Sequence, residues 1–363
     1  MATLRIGIAG AGVLGRLLAV QLSRAGHAVQ VFDPADGPGP RADSGSQAAG
    51  WTAAGMLSPV AELERAGAEV FALGLRSCAL WPQIVRGLVQ PVDLRMQGSL
   101  LLAHRSDAGA AQRVVGLLQA KADAEYQPQP LNLPQLRELE PSISGPTLAW
   151  LLPCEGQIHP TQALQALAAQ ATAQGVQWHW NSRVTRAEAG VLHVADAYTP
   201  VRAEPVEALR QAQGERSDVR HGFDHVFDVR GVGAKPSVPV RGVRGEVFWL
   251  HAPGVPLQRP VRLLHPRHSI YMVPRPGDVV VVGASEIESE DRSPVSLRST
   301  IELLSAAHSA IPALAEARVV HLETNLRPAL RYAPGLTVIN GLFRHGWLIA
   351  PALVEQALQE LSP

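Results

Sequence analysis

Residues 4–33 read LRIGIAGAGVLGRLLAVQLSRAGHAVQVFD. The run Leu4–Ala9 is short and apolar, as suits a strand buried on both faces. It breaks into Gly10-Ala11-Gly12-Val13-Leu14-Gly15, a G-x-G-x-x-G pattern with all three glycines present. Arg16–Ala25 carries Leu17, Leu18, Val20 and Leu22 and predicts a helix that stops at Gly26. Ala28–Phe32 (AVQVF) predicts a second strand, ending at Asp33, eighteen residues beyond Gly15. Each part has a physical task. Gly10 permits a tight turn, Gly12 lets the backbone approach a pyrophosphate, and Gly15 lets the helix pack on the strand. The helix N-terminus offers free N–H groups and a positive dipole end to phosphates. Asp33 can accept hydrogen bonds from ribose hydroxyls. Strand, turn, helix, strand and acid fall in register, so the spacing predicts dinucleotide binding. An apolar segment after Arg5 also has the look of a signal peptide. Glycines at fixed offsets and a following strand favour a buried strand turning into a helix.

Working outward, the motif does not separate NAD from FAD. Ser44–Pro59 (SGSQAAGWTAAGMLSP) consists of small residues without helical or strand periodicity. Such a loop lets backbone come close to a flat ligand; an ordinary flexible loop is the other reading. The chain has 363 residues, enough for two domains. Thirty-two basic residues balance thirty-two acidic ones, which argues against nucleic-acid binding. Cys78 and Cys154 are too few for a disulfide framework or a Cys-rich metal site, and they fit a reducing, cytoplasmic setting. The thirteen histidines lack metal-ligand spacing. No run of about 18 apolar residues predicts a membrane span.

Further along, Glu62–Leu88 reads as helix, with a restart near Trp81-Pro82, and Ala108–Ala124 and Thr161–Gln174 as further helices. Residues 199–222 are charged and weakly periodic and predict a surface insertion between strands. Ser269–Pro274 and Asp278–Ala284 predict a hairpin around Pro276-Gly277. The pattern predicts an α/β fold: a Rossmann-like domain interleaved with a smaller α+β domain on a mixed, largely antiparallel sheet. Residues 1–85, 153–240 and 322–363 are assigned to the first, 86–152 and 241–321 to the second.

Several segments together resemble the flavin-dependent D-amino-acid oxidase family, and within it the glycine oxidases of thiamine biosynthesis. They are the Gly10–Gly15 fingerprint with Asp33, Ala53-Ala54-Gly55-Met56-Leu57, Gly156-Gln157-Ile158-His159-Pro160 and Ile270-Tyr271-Met272-Val273-Pro274-Arg275. Val282-Gly283-Ala284-Ser285-Glu286, Asn325-Leu326-Arg327-Pro328 and Gly341–Pro351 (GLFRHGWLIAP) follow in family order. The resemblance implies FAD, and oxidation of a small amino acid to its imine by hydride transfer. Oxygen would then reoxidise the flavin and give hydrogen peroxide.

It also implies residue roles. Arg327 would clamp the substrate carboxylate, Tyr271 would meet that carboxylate through its hydroxyl, and Arg344 would stand beside the flavin and substrate. Cofactor binding is expected from Gly10, Gly12, Val13, Leu14, Gly15, Asp33 and Pro34, from Ala54, Gly55 and Met56, and from Val184 at the adenine. Leu342, Phe343, Arg344, His345, Gly346, Trp347 and Leu348 would meet the isoalloxazine ring. No cysteine follows Cys154, so the flavin should be non-covalent. Relatives suggest a homo-oligomer. Two departures from the family pattern are the 199–222 insert and the short 329–340 segment. A sarcosine-type or broader D-amino-acid oxidase or dehydrogenase, a tRNA-modifying amine oxidase and a flavoprotein that has lost activity remain as alternatives.

Overall fold

The computed structural model describes residues 3–40, 47–195, 218–265, 269–329 and 337–361. Its first layer is a five-stranded, all-parallel sheet. The spatial order is Thr337–Val338, His225–Asp228, Arg5–Ala9, Ala28–Phe32, Gln177–His179. Arg5–Ala9 is central, and Ile6 and Ile8 are fully buried as the apolar run requires. Helix Val13–Arg24 packs against Pro160–Ala173 and Gly346–Leu361. These helices share one core with the sheet, built on Leu17, Leu18, Leu164, Leu167 and Trp347. Gly15, in the first turn of the helix, packs directly on the turn that follows the strand. A Cβ there would lie 1.9 Å from the Gly10 carbonyl oxygen, so only glycine fits.

The second layer is an eight-stranded mixed sheet. It runs Arg318–Ala329, Arg241–His251, Val279–Gly283, Ser269–Arg275, Val261–Leu264, Ser99–Ala103, Leu148–Leu152, Gln129–Leu131. All neighbours are antiparallel except Val261–Leu264 with Ser99–Ala103. Helix Leu297–Ala310 covers it over a core of Phe248, Met272, Val282 and Leu303. The expected α/β fold with a largely antiparallel second sheet is therefore present. Two small three-stranded sheets complete it, one from Met56–Leu57, Gly156–Ile158 and Leu94–Arg95, the other from Val184–Glu188, Val191–Val194 and Val219–Gly222.

Several elements differ from expectation. Ala68–Arg86 is one helix that passes through Pro82 without restarting, with Trp81 fully buried and donating to the Trp347 carbonyl at 3.0 Å. The last helix, expected over Ala350–Leu361, starts four residues earlier at Gly346, within the segment expected to meet the isoalloxazine ring. Val219–Gly222, the end of the expected insertion, is a strand paired with Val191–Val194. Residues 199–217 of that stretch, 44–46 of the small-residue loop and 330–336 of the short segment lie outside the described residues. Among the described residues no helix is long and apolar enough to cross a membrane.

The turn joining the two layers buries a carboxyl. Glu155 is fully enclosed, accepting from the Ala61 N–H at 2.8 Å and the Ser99 hydroxyl at 2.5 Å. Burial outweighs these bonds and pushes its pKa up to about 7. The folded state thus holds the proton more tightly than the unfolded chain. Its contribution is complete below the ordinary carboxyl value and is lost as pH rises through 7. Glu155→Gln keeps an acceptor for the Ala61 N–H and sets an amide NH2 against the Ser99 hydroxyl oxygen, which then accepts, without the charge. Thermal unfolding should show the variant near wild type at pH 5 and more stable than wild type at pH 8.5. A variant equally destabilised at both pH values would contradict this.

Candidate active site

A long cleft runs between the two layers. It begins at the fingerprint turn. Gly10, Ala11, Gly12, Val13 and Leu14 line it, with Asp33, Pro34 and Ala35 from the end of the second strand. The helix Val13–Arg24 has no side-chain cap and no acid in its first turn, so its leading N–H groups face the cleft uncompensated. Asp33 braces the turn, accepting from the N–H of Ala11 at 2.6 Å and of Ala35 at 2.9 Å. Val184 is buried beside the cleft, and its carbonyl accepts from Arg230 at 2.9 Å. Arg230 is in turn held by both oxygens of Asp228, a buried bidentate pair.

The small-residue stretch forms the next wall. Residues 47–56 line the cleft continuously. They are gripped by the edge strand Arg318–Ala329, whose alternate residues share a face. Glu323 accepts from the Thr52 hydroxyl at 2.5 Å and from the Gln47 side chain. Asn325 donates to Thr52 Oγ1 at 2.9 Å and reaches the carbonyls of Gln47 and Ala48. From behind, Met56 and Leu57 pair with Gln157 and Gly156.

Arg327 is the next residue on that face. Its Nη1 donates to the Ser285 carbonyl at 3.1 Å, and its charge acts on the hydroxyl of Tyr271, carried by the strand Ser269–Arg275 of the same sheet. Two glycines make room for this pair. A Cβ on Gly245 would sit 2.6 Å from Arg327 Nη2, and one on Gly283 would sit 2.8 Å from the Tyr271 hydroxyl oxygen. Burial raises the Tyr271 pKa against the pull of Arg327 and Arg275, so the hydroxyl keeps its proton.

Arg344 and His345 also line the cleft, on the turn before the last helix. Their partner is Glu62, with Arg344 Nη2 at 2.7 Å and His345 Nε2 at 2.9 Å. Arg344 Nη1 lies 3.5 Å from Glu286, and Arg262 approaches Glu62 at 4.0 Å. Burial alone would raise the Glu62 pKa; the His345 hydrogen bond and the charges of Arg262 and Arg344 hold it down at about 2. Glu62 is thus an anion throughout the working range, and it fixes the direction of both residues. Trp347 anchors the same turn by donating to the Gly50 carbonyl at 3.2 Å.

The structure thus brings all the residues expected from sequence, apart from Gly15 beneath the turn, to one cleft. Arg327 and Tyr271 meet; Arg344 stands apart from them in the Glu62 cluster. Sequence reading missed Glu62, Glu323 and Asn325, whose partners are distant in the chain, and Arg230, which pairs with the nearby Asp228 but reaches the distant Val184 carbonyl. It also missed Arg16, which is buried and donates to the carbonyls of Ala11, Pro38 and Leu164 beneath Trp51. A charged residue on the inner face of an apolar helix was the one available signal. Among the described residues no group of His, Cys, Asp and Glu could hold a metal ion.

Comparison with known proteins agrees with this architecture. The chain is 35% identical over 99% of its length, and 96% of the relative's, to a Rhizobium etli protein named as the thiamine biosynthesis oxidoreductase ThiO. It is 26% identical to the glycine oxidase of Geobacillus kaustophilus over 95% of this chain and 89% of that protein. The crystal structure of that organism's glycine oxidase shares the fold, with a TM-score of 0.77 at 22% identity over 98% of this chain and 94% of the other. The dithionite-reduced L-α-glycerophosphate oxidase of Mycoplasma pneumoniae, solved with FAD bound, has a TM-score of 0.72 at 17% identity, covering 100% and 96%. The DAO model, FAD dependent oxidoreductase, matches residues 5–357, so the chain belongs to this family of FAD-dependent enzymes.

Proposed function

We propose that this enzyme oxidises a small amino acid, glycine above all, to its imine. FAD would lie non-covalently along the cleft, and molecular oxygen would be the acceptor that yields hydrogen peroxide. The observation that carries the substrate reading is the meeting of Arg327 and Tyr271 in the cleft wall. A guanidinium and a protonated phenol side by side present several donors and no acceptor charge, which suits a carboxylate. The names of the relatives, glycine oxidase and ThiO, point the same way.

The chain's residues fit the cofactor. Gly10, Gly12 and Gly15 shape the turn, and the uncapped amides at Val13 and Leu14 suit a diphosphate. Asp33 and Pro34 would take the ribose, and Val184 the adenine. Ala54, Gly55 and Met56 would hold one side of the ring. Leu342, Phe343, Arg344, His345, Gly346, Trp347 and Leu348 would hold the other, with backbone N–H groups toward developing negative charge. Neither Cys78 nor Cys154 lines the cleft, which supports non-covalent binding.

FAD, when bound, supplies the acceptor for the hydride that leaves the substrate Cα. Arg327 would hold the carboxylate and so fix Cα in place. One of its nitrogens is committed to the Ser285 carbonyl, which sets the direction of the others. Tyr271 would donate its retained proton to the same carboxylate. The ion pairs of Glu62 keep Arg344 and His345 from swinging into the substrate's place.

Anaerobic addition of glycine, sarcosine, D-alanine and D-proline in turn should bleach the flavin fastest with glycine. Air should then restore the colour with one hydrogen peroxide per turnover. No bleaching with any of the four would remove the proposal. Acid precipitation should release the yellow colour to the supernatant; colour kept in the pellet would show a covalent flavin. Arg327→Ala should leave FAD bound and raise KM for glycine. Losing a charge-assisted pair costs about 2–4 kcal/mol, roughly 30- to 700-fold. An unchanged KM would take Arg327 out of the site.

A further inference from the structure

We infer that Arg275 is a fixed positive charge behind the ring-binding wall, placed to stabilise the negative charge that reduction puts on the flavin. The inference rests on the FAD site proposed above. Arg275 ends the strand Ser269–Arg275 and is only 5% exposed. Its Nη2 donates to the carbonyl of Ala54, a residue of the cleft wall. Its Nη1 donates to the Pro274 carbonyl at 3.0 Å and faces Gln157 Oε1 at 3.5 Å. Its Nε has no partner, and neither does the buried Nε2 of Gln157 beside it.

Among the described residues no carboxylate bonds this guanidinium. The acid that acts on it is Asp93, through space, and Asp93 is itself paired with Arg95 at 3.0 Å. Tyr271 keeps its proton and contributes no charge. His159 is held neutral, its pKa pushed down to about 4 by burial and by Arg275 itself. Burial lowers the Arg275 pKa to about 10, which still leaves it cationic at neutral pH. With Arg275 and Arg95 against Asp93 alone, the region keeps a net positive charge.

A buried charge bonded only to carbonyls costs folding free energy. A counter-charge arriving on the other side of Ala54 would offset that cost. Ala54 clusters with Val247, Val273 and Val281 beside Tyr271, whereas Ala48 of the same stretch is what lies nearest Gly12 of the fingerprint turn. The charge that develops there is therefore that of the ring rather than of the phosphates. A cation held in a low-dielectric wall favours the reduced, negative state and raises the reduction potential. Arg275 acts through the wall and is a positioning residue, not a catalytic one.

The test uses flavin-loaded enzyme and measures the midpoint potential by equilibration with a reference dye. Gln157→Glu sets a carboxylate against Arg275 Nη1 with no change in size. Arg275→Met removes the charge, and Arg275→Lys keeps it. The first two should each lower the two-electron reduction equilibrium constant at least tenfold, about 30 mV. Arg275→Lys should stay within threefold of wild type. A yellow Gln157→Glu enzyme with an unchanged potential would overturn the inference, whether or not Arg275→Met folds. A shifted potential without bleaching by any amino acid would sustain it and sink the substrate reading alone. A wild-type chain that takes up no FAD would overturn both.

Discussion

The edge strand Arg318–Ala329 ties the two layers together, and the cleft depends on that tie. Alternation puts Glu323, Asn325 and Arg327 on one face. The first two hold the wall at residues 47–52, and the third carries its guanidinium into the cleft. A shift of this strand by one residue would turn all three away at once. Its register is fixed by the eleven-residue strand Arg241–His251, which pairs with it along its whole length. The same partner strand carries Gly245, the residue whose missing side chain leaves space for Arg327. The wall at residues 47–52 and the guanidinium of Arg327 are therefore set by one ladder of backbone hydrogen bonds.

The partner strand also anchors the far side of Arg327. Glu246 is fully buried and ion-paired with Arg244, and its backbone N–H donates to Ser285 Oγ at 3.0 Å. Glu246 also takes the N–H of Ser296 at 3.1 Å, just where the helix Leu297–Ala310 begins. Arg244 reaches the carbonyls of Asp291 and Pro294. This buried network pins the segment 285–296, and the Ser285 carbonyl at its start receives Arg327. A half-satisfied buried network would be costly, so it fixes one arrangement of the segment.

How much of this was legible in the sequence follows from how local each signal is. The fingerprint could be read because its glycines answer to the backbone alone. Gly15 faces a carbonyl of its own turn, and no distant partner is needed to see why. Arg318–Ala329 carried no such signal. Val319, Val320 and Leu322 are about half exposed, Glu323 and Asn325 are polar, and Pro328 interrupts the donors. Those are the marks of an edge strand, where proline is tolerated and alternation between core and solvent is weak. Glu62 was invisible for a different reason. It was read as the start of a long helix, and only the fold brings Arg262, Arg344 and His345 to it. The family resemblance located Arg344 at the cleft without indicating its ion pairs.

Six arginines in the cleft or behind its wall divide into two kinds by what they bond. Arg230 is paired with Asp228, Arg344 with Glu62 and Glu286, and Arg262 with Glu62 and Glu64. Arg16, Arg275 and Arg327 donate to carbonyls instead: Arg16 to Ala11, Pro38 and Leu164, Arg275 to Ala54 and Pro274, Arg327 to Ser285. A carbonyl orients a guanidinium without cancelling its charge. The first kind therefore shapes the cleft, and the second leaves it electropositive at places far apart in the sequence. FAD brings anionic groups of two sorts: a diphosphate, and a ring that becomes negative on reduction. A chain with zero net charge can meet anionic groups there because Arg16, Arg275 and Arg327 are held by carbonyls, while Arg230, Arg262 and Arg344 are held by carboxylates.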